Sequence, residues 1–291
     1  MGLMTILRSS SPDLLDAAAA AYADWAVAEI AAPVIEVTLE PARTWDQDGV
    51  VDIRVEGSRL TLNGAGVAGW ADAAAKWAHC LVPAHLAEDP DALAEQVLDT
   101  LLLFLIARTG RTPVHAAGVM IGDRAAVLAG PSGAGKSTLA LTAMERGLRI
   151  LSDDTLYIQI HPAFRAWGLP RPLHVFPETA PRFSRGTRLR AGKLKAVAPL
   201  APESVATRFA DDAVLVVLDR GERLDLTPIA PEAALARLGR LEPGFDLLGR
   251  ESEAALAALA GRGAWRLALT RDPGAAIDLL CERLGGGAPA A

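Results

Sequence analysis

Apolar and polar positions alternate with a period of two in three stretches near the start of the chain, VIEVTLE, VVDIRVEG and SRLTLNG. Each ends at turn residues, and together they predict a small antiparallel unit from Val34 to Asn63. Ahead of them the period is helical. Pro12 to Ala31 is Ala-rich with no internal Gly or Pro, which predicts one helix. From Asp89 an acidic first turn leads into LAEQVLDTLLLFLIART, apolar almost all round and stopped at Gly110, as expected of a buried helix. The pattern then changes to short apolar strands alternating with helices. VHAAGVMIG, RAAVLAG, a helix from Lys136 to Arg146 and RILSDD follow one another in the manner of an α/β unit. The tail repeats the alternation: AVLVVLDRG and WRLALTRD as strands, PEAALARLGRL, SEAALAALAGRG and GAAIDLLCERLGG as helices, and a frayed end from Gly285. The change of pattern places a boundary near residues 85 to 112. The organisation expected is an N-terminal α+β lobe over residues 1–88 and an α/β catalytic domain over 89–291.

The junction between the second strand of that domain and its helix carries the clearest chemistry. Gly130, Pro131, Ser132, Gly133, Ala134, Gly135, Lys136 and Ser137 match GxxxxGK[ST], with a strand before and a helix after. Glycines let successive backbone N–H groups point inward at phosphate oxygens, and the helix N-terminus adds partial positive charge. Lys136 is placed to reach the β- and γ-phosphates, Ser137 to bind Mg²⁺ through its hydroxyl, and Thr138 continues the nucleotide-binding run. Asp153 and Asp154 end the next predicted strand, where a carboxylate can hold Mg²⁺ or accept a proton from an attacking hydroxyl. Neighbours on a strand point to opposite faces, so the two take different roles. His115, in the strand ahead of the loop, is either a core histidine or the partner that orients Asp153. Extra cations for phosphate are sought among Arg165, Arg171, Lys193 and Lys195.

Composition narrows the field. The chain has 291 residues, half of them hydrophobic, enough for a sizeable core. Its net charge is −6 and the basic residues look spread along it, which argues against nucleic acid as a partner. Cys80 and Cys281 fit no zinc or CxxC spacing and read as buried apolar residues in a reducing compartment. His79 and His85 around Cys80 read as packing rather than a metal site. The start lacks a secretory pattern, Ile6 breaks a myristoylation match, and the longest apolar run, Leu101 to Ala107, is far below the roughly 20 residues of a membrane span. A cytoplasmic protein with no membrane partner is expected.

The segment VHAAGVMIGDRAAVLAGPSGAGKSTLALTAMERGLRILSDD resembles the C-terminal catalytic domain of HPr kinase/phosphorylase and its relatives, over roughly residues 111 to 170. The His ahead of the loop, the loop itself, Arg146 and Gly147 after the helix, and the paired Asp all fall in that family's order. The resemblance implies a P-loop core related to phosphoenolpyruvate carboxykinase, ATP and Mg²⁺ as cofactors, Asp153 as general base with Asp154 and His115 in support, and Asp154 with Ser137 at the metal. It also implies a homo-oligomer. Thr138 stands where that family has Glu, and no EIRGLG-like segment follows, which argues against HPr as acceptor and against the reverse, phosphorolytic reaction. The layout is closest to the relatives encoded with lasso-peptide and related clusters, which implies transfer to a serine hydroxyl of a precursor peptide. Free serine or an HPr-like protein as acceptor, and a nucleotide-binding switch without phosphotransfer, are the alternatives.

Overall fold

The structure, a computed structural model, describes residues 1–23, 31–42, 51–169, 171–181, 184–190, 193–200, 208–238 and 250–285. It is a mixed α/β protein that divides into two compact units, Met1–Gly110 and Arg111–Ala291. The helical stretch after Asp89 falls in the first unit, where the sequence pattern had begun the second at residue 89.

The first unit opens with β1 (Leu3–Ser9) and α1 (Pro12–Ala21), followed by β2 (Ala31–Pro41), β3 (Asp52–Glu56), β4 (Arg59–Gly64), β5 (Val67–Asp72) and β6 (Trp77–Val82). It closes with α2 (Pro90–Leu93), a π-helical turn at Ala94–Leu98 and α3 (Asp99–Ala107). Pro12 starts α1 at a position where its missing N–H costs nothing, and Leu14, Ala17 and Ala18 form the buried stripe. The expected helix to Ala31 is corrected. α1 ends at Ala21, and Ala31 already belongs to β2, which pairs in parallel with β1. The order β1-β2-β6-β5-β4-β3 corrects the simple antiparallel unit as well: β3–β6 pair antiparallel, while β2 lies parallel to both neighbours. Alternation still decides which side is buried. Ile35, Val37, Leu39, Leu60, Leu62, Ala78, Cys80 and Val82 are buried.

The second unit runs β7 (Arg111–Ile121), β8 (Arg124–Ala129), α4 (Lys136–Glu145), β9 (Ile150–Ser152), β10 (Thr155–Gln159), β11 (Arg165–Trp167), β12 (Leu173–Val175), β13 (Thr187–Arg190), β14 (Lys193–Ala198), β15 (Phe209–Ala210), β16 (Asp212–Arg220), β17 (Asp225–Pro228), α5 (Pro231–Leu238), α6 (Arg250–Gly261), β18 (Ala264–Leu269) and α7 (Pro273–Gly285). The main sheet has the order β15-β11-β10-β7-β8-β16-β18-β17, and β9 also pairs with β7. β8, β16 and β18 are parallel, as sequence-distant strands joined by helical crossovers must be. β8 is buried from Ala125 to Ala129, the near-continuous apolar run expected where helices cover both faces. One face packs on α4, α7 and the small sheet β12-β14-β13, and the other carries α5 and α6. Residues 239–249 and the tail from 286, where the sequence predicted the end of one helix and a frayed terminus, lie outside the described residues. No helix among the described residues is long and apolar enough to cross a membrane.

Candidate functional site

The glycine-rich loop links the carboxyl end of β8 to α4, and its glycines sit where other residues would be strained. Gly133 has φ 83° and Gly135 φ 113°, both in the left-handed region. Gly130 is required by space instead, since a Cβ there would lie 3.1 Å from the Ala134 Cβ and 3.3 Å from the Leu218 carbonyl oxygen at the end of β16. Lys136 is 7% exposed, and its Nζ donates to the carbonyls of Gly130 at 2.7 Å and Pro131 at 3.3 Å, so the ammonium lies inside the loop. Pro131, Ser132 and Gly133 form the exposed rim. Ser137 and Thr138 are half-buried on the first turn of α4, where the Thr138 carbonyl accepts from Thr142 Oγ1 at 2.9 Å.

The two aspartates do not end a strand. They interrupt one: β9 stops at Ser152, the chain bends through Asp153 and Asp154, and β10 resumes at Thr155, with both strands antiparallel to β7. The bend, rather than alternation along a strand, sends the neighbours apart. Asp153 turns inward and is 6% exposed. Its Oδ2 accepts the His174 backbone N–H at 3.0 Å, while Oδ1 is buried with no hydrogen-bond partner. Burial pushes its carboxyl up to about 6, against the opposing pull of the His174 amide, the Ser137 hydroxyl and the Lys195 charge, with Asp154 adding a smaller upward push. Ser137 thus acts on Asp153 without a hydrogen bond of good geometry to Oδ1. Asp154 turns outward, its side chain 58% exposed, with Oδ1 3.4 Å from His115 Nδ1. His115 and Thr155 are paired across β7 and β10, and the Asp154 carbonyl accepts the Ala116 N–H at 3.1 Å, which fixes this arrangement.

The structure therefore brings Lys136, Ser137 and Asp153 together and sets Asp154 with His115. Asp154, expected to share a metal with Ser137, faces His115 instead, and Asp153 is the carboxylate that Ser137 acts on. Among the predicted cations, Lys195 reaches the site: its charge bears on Asp153, and its Nζ sits 3.5 Å from the centre of the Phe176 ring. Arg165 does not. It pairs with Gln159, four residues along β10 from Thr155, or roughly 13 Å at about 3.3 Å per residue. There its guanidinium bridges to Asp211 at 3.0 Å and stacks on Phe209. Arg171 lies half-buried two residues ahead of β12, and its backbone N–H donates to the Leu169 carbonyl at 2.8 Å. Lys193 is placed only by its backbone at the start of β14, and its side chain lies outside the described residues.

Two contributors escaped the sequence reading. The His174 amide holds Asp153 from β12, a strand whose three residues carry no periodic signal. Arg220, at the carboxyl end of β16, places Nη2 3.4 Å from the Gly133 carbonyl at the loop rim. A signal for Arg220 existed, because ligands in parallel sheets bind beyond the carboxyl ends of the strands, and AVLVVLDRG carries its charges at that end. Asp219 beside it is held below the usual carboxylate range, chiefly by Arg266, whose Nε donates at 3.1 Å.

Mg²⁺ is a hard cation that takes oxygen ligands, and the hydroxyl of Ser137, half-buried on the first turn of α4 beside the glycine-rich loop, is a donor that suits it. Among the described residues no three His, Cys, Asp or Glu side chains cluster to form an all-protein metal site, and Mg²⁺ in phosphate chemistry commonly takes its remaining ligands from substrate and water.

No protein-family model matches the chain, and a search of curated proteins finds no match either. Among solved structures, the HPr(Ser) kinase/phosphatase from Coxiella burnetii is similar at 13% identity with a TM-score of 0.34, over 60% of this chain and 96% of that one.

Proposed function

We propose that the chain is an ATP- and Mg²⁺-dependent kinase of the P-loop type that transfers the γ-phosphate to a serine hydroxyl, with a lasso-type precursor peptide as acceptor. The observation that carries the reading is Asp153: a buried carboxylate beside the glycine-rich loop, with one oxygen held by a backbone amide and the other open. In phosphoryl transfer the protein supplies position, cations and a group for the incoming hydroxyl's proton. Lys136 and the loop amides hold the β- and γ-phosphates. Mg²⁺ held from the Ser137 side neutralises charge on those phosphates. Asp153 Oδ1 takes the serine proton, and a carboxyl pushed up to about 6 is a better match to neutral pH than an ordinary aspartate. Lys195 and Arg220 supply the cations around the transferring group, and His115 orients Asp154 at the exposed side of the bend.

The test is ATP consumption with Mg²⁺ by the protein and by Asp153→Asn, against serine-containing peptides and free serine, with mass spectrometry of each acceptor. One phosphate gained by a peptide with the native protein, and none with the variant although nucleotide still binds, is the expected result. Nucleotide binding with no acceptor gaining mass, and slow hydrolysis that survives in the variant, would overturn it.

A further inference from the structure

In the first unit, strand register gathers an aromatic and acidic surface on the outer face of the six-stranded sheet, opposite the buried row Val37, Leu39, Ala71, Ala78 and Cys80. Glu36 on β2 stands opposite Trp77 on β6, and Trp77 stands opposite Asp72 on β5. The next row on the same face is Thr38, His79 and Trp70. β2, β5 and β6 place Glu36, Glu40 and Asp72 on this face and no Lys or Arg. Cations stand at its margins: Lys76 in the turn before β6, Arg8 on β1, which bridges Glu36 at 3.4 Å, and Arg59 on β4, which lies over the Trp70 ring at 4.5 Å. Trp77 is held from two sides. Its Nε1 donates to Thr38 Oγ1 at 3.3 Å, and its ring meets Trp70 edge to face, with centroids 4.7 Å apart and planes at 90°. It still stays 38% exposed, and Leu81 further along β6 is 40% exposed. An indole fixed in advance beside a second exposed apolar side chain marks an interaction surface, since little ordering entropy is lost when a partner packs on it.

We propose that this face docks a partner protein segment that lays a Lys or Arg over the Trp77 indole, between Glu36 and Asp72, and packs an apolar side chain on Leu81. Three observations select a cation for the Trp77 position. The face of an indole attracts positive charge, and both residues directly paired with Trp77 are carboxylates. The fold already uses this chemistry next door, where Arg59 lies over Trp70. Asp72 is fixed beside the ring, because its Oδ1 accepts the amides of Ala74 and Ala75 at 2.8 and 3.2 Å. Leu81 lies four residues beyond Trp77 on β6, roughly 13 Å at about 3.3 Å per residue, so an extended segment meets both through side chains four positions apart. A nucleic-acid strand needs Lys and Arg for its phosphates, and on these three strands it would meet carboxylates instead. The dock lies wholly in the first unit and does not depend on phosphate transfer in the second.

Binding is read by fluorescence anisotropy on the full chain, without nucleotide, using labelled Ser/Gly peptides that carry one Lys and one Leu four positions apart. Exchanging the peptide's Lys for Glu weakens binding about tenfold, the scale of one cation–π contact with exposed charge pairs. Exchanging it for trimethyl-lysine, which keeps the charge but donates no hydrogen bond, leaves binding in place. Trp77→Leu removes the ring and keeps an apolar side chain, and Glu36→Gln removes a carboxylate and keeps its shape. Each variant reduces the preference for Lys over Glu, and a cooperative thermal melt shows that it is folded. If Trp77→Leu does not fold, Glu36→Gln decides. Equal binding of the Lys and Glu peptides to the native protein, a preference unchanged in the folded variants, or loss of the trimethyl-lysine peptide overturns the proposal. So does a single-stranded oligonucleotide that displaces the Lys peptide at lower concentration than unlabelled peptide does. Dimerisation of the native protein in analytical ultracentrifugation that Trp77→Leu abolishes overturns it too, because the occupant is then a second copy of the chain.

Discussion

Replacing Asp153 by Asn should make the protein more stable at neutral pH while abolishing transfer. The carboxyl stands at about 6 in the folded protein against an ordinary 3.8, a rise of about 2 units caused chiefly by burial. At about 1.4 kcal/mol per unit, the ionised carboxylate costs the folded state on the order of 3 kcal/mol above pH 6. Because the folded-state value is the higher one, stability due to this group is complete below about pH 4 and is lost as pH rises to about 6. Asn removes the charge and keeps an oxygen for the His174 amide 3.0 Å away. Its NH₂ then occupies the place of the unpartnered Oδ1, which returns about 1 kcal/mol of the gain. The net, about 2 kcal/mol, corresponds to roughly 4–8 °C in melting temperature for a unit of this size. Thermal melts of both proteins at pH 4.5, 6 and 8 check it. The variant should melt higher at pH 8, keep most of that margin at pH 6 and lose most of it at pH 4.5. A variant that melts no higher at pH 8, or by the same margin at every pH, would refute the claim that Asp153 is a buried anion held at a cost for function.

Four further outcomes follow from the same geometry. With the native protein, kcat/KM should fall as pH drops below about 6, because Asp153 must be ionised to take a proton, and a profile flat to pH 5 contradicts that role. Arg220→Ala should lower kcat about 10²-fold with little change in stability, since Nη2 lies 3.4 Å from Gly133 at the loop rim, and a rise in KM for ATP alone would assign Arg220 to ground-state binding. In Gly168→Ala the new Cβ would fall 2.1 Å from the Leu151 carbonyl oxygen, so the segment after β11 must move off β9. Urea unfolding should show a loss of about 1–3 kcal/mol, with activity reduced because β9 leads directly into Asp153. Burial pushes the Cys80 thiol up to about 12, so at pH 8 an alkylating reagent should leave it unmodified in the native protein and label it in urea, as peptide mass spectrometry would report.

The parts of the site legible in the sequence are those whose chemistry is local. A loop that must turn its amides inward needs glycine at left-handed φ, and Gly133 and Gly135 announce this within a few residues of the lysine they serve. The opposed directions of Asp153 and Asp154 are equally local, since the chain bends through these two residues between β9 and β10. What each aspartate meets is set elsewhere in the chain. Asp153 is held by His174, 21 residues on, and tuned by Lys195, and no period or motif connects those positions. Arg165 shows the converse: sought as a phosphate cation, it is carried by strand register to Asp211 and Phe209. The missed pairing of β1 with β2 has the same origin, because Ala31 and Ala32 continue a helical alanine pattern locally and only a parallel partner makes them strand.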